Sequence, residues 1–454
     1  VIIVIWAIAI AAVVLAGTQL VTFRQATMGR EALARVQARW AARAGIEECI
    51  AVLEYHASRP AADDAMMVYR DLEATADGEL RTGSWSIRHT QDGVEKPGPQ
   101  DEHAKANINR LNRQQLLALD NMTFDVADAI LDWRDADHEV QGLGAERDYY
   151  LNRNLPYTPR NANFRSIAEL ELVAGAWPAY VRGEDMNLNG RLDPNENDGN
   201  MSPPNDDADG LLDAGWSGIL TAYTTVSRIG ASGEPKLYLR DATTEEIKAR
   251  FGVDDQQAAA LSAYAKTNNA TLEVLLVTDL GSLGQTGQGR GRGGAGATGA
   301  GGRTTGRSST GAGGNRGQPG QSAVKPLDTN QLRLIFREGT LDRPTEVVPG
   351  KININTAPEA VLRRVLNIDG FTVDAILGLR ASKTGGITSV VDLLGSSRIT
   401  PETLAGLASQ IDTTSQVFTI TSRGRSESTG LEVEITAVVD RSTLPARIIE
   451  YREN

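Results

Sequence analysis

The sequence predicts an α+β fold in which a long N-terminal helix packs on a small antiparallel sheet and two small all-α domains are inserted between its strands. Three observations carry this prediction. The chain opens on an apolar run whose helical pattern continues far beyond it. Strand-like alternation falls near residue 85 and again close to the C-terminus. Between them one 28-residue pattern occurs twice without a gap, at 107–134 and 353–380.

The helix comes first. Residues 1–17 are all apolar or small and Arg24 is the first charge, so about 23 residues suit the ~30 Å hydrocarbon core of a bilayer. The run is too long for a signal-peptide core and has no small-residue cleavage site, so it reads as retained. Leu33, Val36, Trp40 and Ala44, then Ile46, Ile50 and Leu53, extend a helical stripe toward Pro60, with Arg30, Arg35, Arg39 and Arg43 on the polar face. Trp85 to His89 then alternates as a strand, as do Val417 to Ser422 and Leu431 to Val439.

The repeated modules follow. Each copy opens Asn-Ile-Asn (Asn107 to Asn109, Asn353 to Asn355) and closes on Asp-Ala-Ile-Leu-x-x-Arg (Asp128 to Arg134, Asp374 to Arg380). Thr356, Pro358 and Glu359 suggest a capped helix start, Val373 to Leu379 a second short helix, and Ser166 and Ser389 the caps of a third. The spacer before that third helix is 31 residues in the first copy and eight in the second. Helix-hairpin-helix and SAM-like domains share this pattern of short helices. A DNA grip needs a Gly-rich hairpin among basic residues. The hairpin positions here are Asn121-Met122-Thr123 and Asn367-Ile368-Asp369-Gly370, and Asp120, Asp125, Asp128, Asp132, Asp135 and Asp137 surround the first. A docking or structural role is therefore expected.

Composition narrows the function. Aromatic residues make up 5% and mean hydropathy is −0.28, which excludes a polytopic membrane protein. The 454 residues suffice for two to four domains, and the net charge of −12 argues against a general nucleic-acid binder. Nine acids against the single base Arg191 concentrate that charge in 184–213. The lone Cys49 excludes an intrachain disulfide and reads as a buried apolar side chain. The histidines His56, His89, His103 and His138 are scattered, no catalytic constellation emerges, and an enzyme is not expected.

Within the acidic block, Asp185, Asn187, Asn189, Arg191 (through its carbonyl), Asp193 and Glu196 occupy all the liganding positions of a twelve-residue EF-hand calcium loop, with Gly190 at the sharp turn. A second stretch, Asn205, Asp207, Asp209, Leu211 (through its carbonyl) and Asp213, matches the first nine positions but has Trp216 where the bidentate acid belongs. The expected cofactor is structural calcium, ordering a loop that no disulfide staples.

These strings resemble a known family. Asn107-Ile108-Asn109, Ala129 to Asp135, Gly144-Ala145-Glu146, Tyr149-Tyr150 and Phe164 to Leu170 look like the first inserted domain of general secretion pathway protein K, the large minor pseudopilin of type II secretion systems. Lys351 to Pro358 looks like the family's second inserted domain, and the likeness covers 1–228 and 350–441. The resemblance implies a pilin-like fold, calcium in the inserted region, and a single-pass inner-membrane protein with its bulk in the periplasm. It further implies capping of the pseudopilus tip with minor pseudopilins I and J, contact with the inner-membrane assembly platform, and contact with secreted substrates. No carboxylate occurs in 1–23, as this family typically lacks the Glu that pairs with a neighbouring subunit's terminal amine. The alternative function is a membrane-tethered, helix-hairpin-helix DNA-binding protein of competence type.

The expected domains are then 1–23 (transmembrane), 24–98 (rest of the helix and first strands), 99–228 (first inserted domain with the calcium loops) and 229–280 (an insertion atypical of the family). A Gly-rich linker at 281–324, a second inserted domain at 325–413 and C-terminal strands at 414–454 complete the chain. Thr244 to Ala265 reads as two helices about Gly252 to Asp255. The run 281–321 carries five arginines and no acid, and is expected to be flexible.

Overall fold

The computed structural model describes residues 1–283 and 324–453. Most of the Gly-rich segment expected at 281–324 lies outside the described residues. The chain divides into two compact units, Val1–Lys236 with Pro344–Asn454, and Leu237–Arg343.

In the larger unit, helix α1 (Ile2–Ser58) is the one helix among the described residues long and apolar enough to cross a membrane. Its second half lies on the sheet by only part of the stripe the sequence suggested, with Ile46 and Leu53 in the core and Ala44 and Ile50 against it. Leu33, Val36 and Trp40 face outward, while Ala34, Ala38, Ala41, Ala42, Gly45, Ile46, Cys49 and Leu53 are buried. Close approach is the reason. A Cβ on Gly424 would lie 2.0 Å from the Ala38 carbonyl oxygen, and one on Gly45 would lie 2.5 Å from Trp85 Cδ1. At such a seam small residues win over large apolar ones.

Helix α2 (Met67–Ala74) leads into strands β1 (Asp77–Leu80), β2 (Gly83–Gln91), β3 (Val94–Pro97) and β4 (Gln100–Asp101). The sheet is completed only at the other end of the chain, by β5 (Val417–Ser426), β6 (Glu432–Asp440) and β7 (Arg447–Glu453). The order is β1-β2-β5-β6-β7, with β3 on β2 and β4 on β5, and every pairing is antiparallel. Phe418 and Ile420 of β5 join Ile46, Leu53, Leu72, Ile87, Ile435 and Val439 in the core beneath α1. Successive strand residues point to opposite faces, so Thr419, Thr421 and Arg423 are left on the other side.

Both repeats sit between β4 and β5, and the structure explains why the pattern recurs. In each copy the first Asn accepts the backbone N–H of the second: Asn109 to Asn107 and Asn355 to Asn353, both at 2.9 Å. The second Asn then brackets the segment before the Ser cap. Asn109 bonds Phe164 in both directions, and Asn355 does the same with Ile387. Arg134 donates to the carbonyls of Ile108 and Leu111, and Arg380 to those of Ile354 and Ala357. A two-residue parallel bridge closes each module, 106–107 with 220–221 and 352–353 with 411–412. The motif is therefore packing chemistry: each conserved offset satisfies buried backbone groups that would otherwise be unpaired.

Helix Phe124–Arg134 of the first copy corresponds to Gly370–Ser382 of the second, and Ser166 and Ser389 cap short 3₁₀ turns. One detail differs from expectation. Thr356 is not the helix cap; it donates to Asp101 at 2.5 Å, and the helix begins at Glu359 after Pro358.

The smaller unit contains the two helices expected about Gly252 to Asp255, Thr244–Phe251 and Asp255–Ala265. Each starts on a capping box, Thr243 with Glu246 and Asp254 with Gln257, and Gly252 at φ 64° ends the first. Residues 325–343, expected in the second inserted domain, belong here instead. Helix Thr329–Glu338 turns Ile335 into a core with Leu239, Ile247, Phe251 and Leu261. A parallel bridge pairs 237–238 with 339–340.

Candidate metal centre

The acidic loop 185–196 lies on the sheet face opposite α1. Gly190, at φ 70°, makes the turn, and its carbonyl accepts from Thr90 N–H on β2 at 2.7 Å. The Asn189 carbonyl accepts from Thr421 Oγ1 on β5 at 3.0 Å. Arg452 on β7 donates to the carbonyls of Asn187 and Leu188. Arg423 on β5 donates to Asp193 at 3.1 Å and to Glu434 at 2.9 Å, and Glu434 in turn accepts from Asn189 Nδ2. Arg191 reaches Glu95 on β3. The loop is thus clamped by β2, β3, β5, β6 and β7. None of these sheet partners was legible in the sequence, because each lies in a strand far from the loop.

Inside the loop, Asp185 and Glu196 are both buried. Asp185 accepts the N–H groups of Asn189 and Gly190, and Glu196 accepts those of Met186 and Asp193. The amides of Asn187 and Asn189 converge on Asp193 Oδ2 at 2.9 and 3.0 Å. Burial raises the Asp185 carboxyl above its ordinary range, against the pull of its two N–H donors. Burial pushes Glu196 up to about 7, and the Asp185 charge adds to that rise. Two buried like charges with amide and carboxylate oxygens beside them have the chemistry that hard divalent cations take.

The second stretch differs. Asn205, Asp207, Asp209, Leu211 and Asp213 are exposed. Asp207, Asp209 and Asp213 hold local backbone turns at Asp209, Leu211 and Gly215. Trp216, at the position of the closing acid, is buried and donates to the Asp120 carbonyl at 2.8 Å. No closing carboxylate stands at that position.

The architecture is mixed α+β, with one apolar N-terminal helix fit to be a single-pass anchor and an antiparallel sheet. Residues 88–183 match the model of the type II secretion system (T2SS) protein K family. The match ends just before Asp185. Among solved structures, the chain is similar to one in the crystal structure of the GspK-GspI-GspJ complex from the enterotoxigenic Escherichia coli type 2 secretion system. Identity there is 12%, with 94% of this chain and 99% of that chain covered and a TM-score of 0.47. No curated protein matches the sequence.

Proposed function

We propose that the chain is a minor pseudopilin of a type II secretion system, acting at the pseudopilus tip in export across the outer membrane. The observation that carries this reading is the protein K match over 88–183. On this reading 1–23 anchor the chain in the inner membrane with its bulk in the periplasm, and α1 with the sheet forms a pilin-like body. Its partners are minor pseudopilins of the I and J kinds. The inserted modules form a bulky cap that blocks addition above it. The role is structural rather than enzymatic.

Calcium in 185–196 belongs to the same proposal. Side chains of Asp185, Asn187, Asn189, Asp193 and Glu196 with the Arg191 carbonyl would hold it, and the ion would neutralise buried charge in a loop that five strands grip. It supplies no chemistry beyond cross-linking the module to the sheet.

The test is co-purification of the full chain in detergent with candidate minor pseudopilins I and J. A stable complex is expected. A chain that stays alone with both overturns the tip role.

A further inference from the structure

The smaller unit is built like the two inserted modules, in the same register and without a gap. Its opening bridge residue is Tyr238, where theirs are Asn107 and Asn353. Counted from that residue, the first helix starts six positions on in all three, at Thr244, Arg113 and Glu359. The left-handed residue of the hairpin falls fourteen positions on, at Gly252 (φ 64°), Asn121 (φ 60°) and Asn367 (φ 51°). The second helix starts seventeen positions on, at Asp255, Phe124 and Gly370. Short 3₁₀ turns follow at 273–276, 167–172 and 390–395. Each stretch ends on a parallel bridge that accepts the N–H just after the opening residue. Thr340 accepts from Leu239 at 3.0 Å, Thr221 from Ile108 at 2.9 Å and Asp412 from Ile354 at 3.0 Å.

The cores coincide as well. Ile247, Leu116 and Leu362 are fully buried at one offset, and Leu261, Ile130 and Ile376 at another. What differs is polar. Tyr238, Arg240 and Ala265 stand where the other copies carry their two Asn residues and the closing Arg. Other groups do the same work. Arg240 donates to the Thr267 carbonyl at 3.0 Å, tying the opening strand to the segment after the second helix, as Asn109 and Asn355 tie theirs to Phe164 and Ile387. Tyr264 Oη donates to the Thr271 carbonyl and accepts the Thr271 N–H. With its polar anchors exchanged, the unit keeps the geometry and loses the Asn-Ile-Asn string. The face that joins the modules has changed too. The first copy meets the second through donors, Arg110 to the Pro349 and Ser409 carbonyls and Gln115 to that of Val365. At those offsets the smaller unit has Asp241 and Glu246, both exposed and both able only to accept.

We propose that residues 237–283 and 329–340 are a third copy of the inserted module. It folds as one cooperative unit about its own core, and its acids bar it from the donor contact that joins the other two. The closing bridge makes a specific demand. Helix Thr329–Glu338, far along the chain, belongs to the same cooperative unit as the two helices about Gly252.

The test is hydrogen exchange of the full chain in detergent, read by mass spectrometry. Ile247→Asp places an unpaired charge in the third core and should lower protection about a hundredfold or more in 237–283 and in 329–340 together. Protection in 107–134, in 353–380 and in the sheet strands should match the parent. Gly252→Asn installs the residue that the other copies carry at the left-handed turn and should leave protection as in the parent, whereas Gly252→Val should lower it across the unit. Protection that survives in 329–340 of Ile247→Asp, or a loss that spreads to the sheet, overturns the proposal. So does a Gly252→Asn chain that exchanges like Gly252→Val.

Discussion

Replacing Glu196 by Gln should stabilise the chelated chain and lose most or all of that advantage in calcium. In the chelated chain Glu196 is a buried carboxyl whose pKa stands at about 7 instead of the ordinary 4.5, through burial first and Asp185 second. The folded state therefore holds a proton that the unfolded chain releases. Stability from this group is greatest below pH 4.5 and falls as pH rises toward 7. At about 1.4 kcal/mol per pH unit, the penalty for ionised Glu196 above pH 7 is on the order of 3 kcal/mol. Gln removes the charge but gives up one of two accepted N–H bonds, worth about 1 kcal/mol, so the chelated variant should be more stable by roughly 2 kcal/mol at pH 8. With calcium that advantage shrinks to between about zero and 1 kcal/mol. A Kd of ~10⁻⁴–10⁻³ M and about 5 mM free ion stabilise the parent by about 1–2 kcal/mol, and loss of the bidentate acid forfeits this. Thermal unfolding of the full chain in detergent, followed by circular dichroism at pH 5 and pH 8 in calcium or chelator, reads all four corners. A Glu196→Gln shift that is the same in calcium and in chelator at pH 8 would refute the reasoning.

Gly424→Ala should lower the melting temperature by the equivalent of about 1–3 kcal/mol, because its Cβ meets α1 backbone that has no flexible end to yield. An unchanged melting curve would mean that α1 does not lie so close to β5. Asn355→Ala should cost about 3 kcal/mol in denaturant unfolding, since the Ile387 N–H and the Ile387 and Thr413 carbonyls lose their partner; a loss below about 0.5 kcal/mol would contradict the bracket. The hairpin of the second repeat is already capped, as Asp369 accepts the Thr372 N–H at 3.0 Å, so a gel-shift titration at moderate salt should show no submicromolar DNA binding. Such binding would favour the competence-type alternative.

The sequence exposed whatever depends on local order. The repeat offsets, the two helices about Gly252 to Asp255 and the strands about Trp85, Val417 and Leu431 all follow from neighbouring residues, and the structure contains them. It concealed whatever depends on how near two elements come. Ala38 and Ala42 carry no apolar stripe of their own, and the close approach of Gly424 across the gap makes them part of the buried seam. Strand β7 was also hidden. Its Ile448, Ile449 and Tyr451 are exposed along an edge strand, where burial imposes no alternation. The acidic loop was visible as a ligand pattern but its grip on the sheet was not, since Thr421, Arg423 and Arg452 follow it by more than two hundred residues. Asp135 and Asp137 were read as charges that repel phosphate and Glu146 as part of a family-like string, and no fixed spacing announced the turn that brings the three together.

The division of one sheet between the two ends of the chain also sets an order of events during synthesis. Asp101 and Ser415 are hydrogen-bonded partners separated by 314 residues. Until β5 emerges, β1 to β4 form half a sheet and the small-residue underside of α1 stays uncovered, however completely the intervening modules have folded. The body of the molecule is therefore finished after the modules, by residues 417–453. A ribosome that stops early would release a chain with sound modules and no finished core, a natural target for proteolysis.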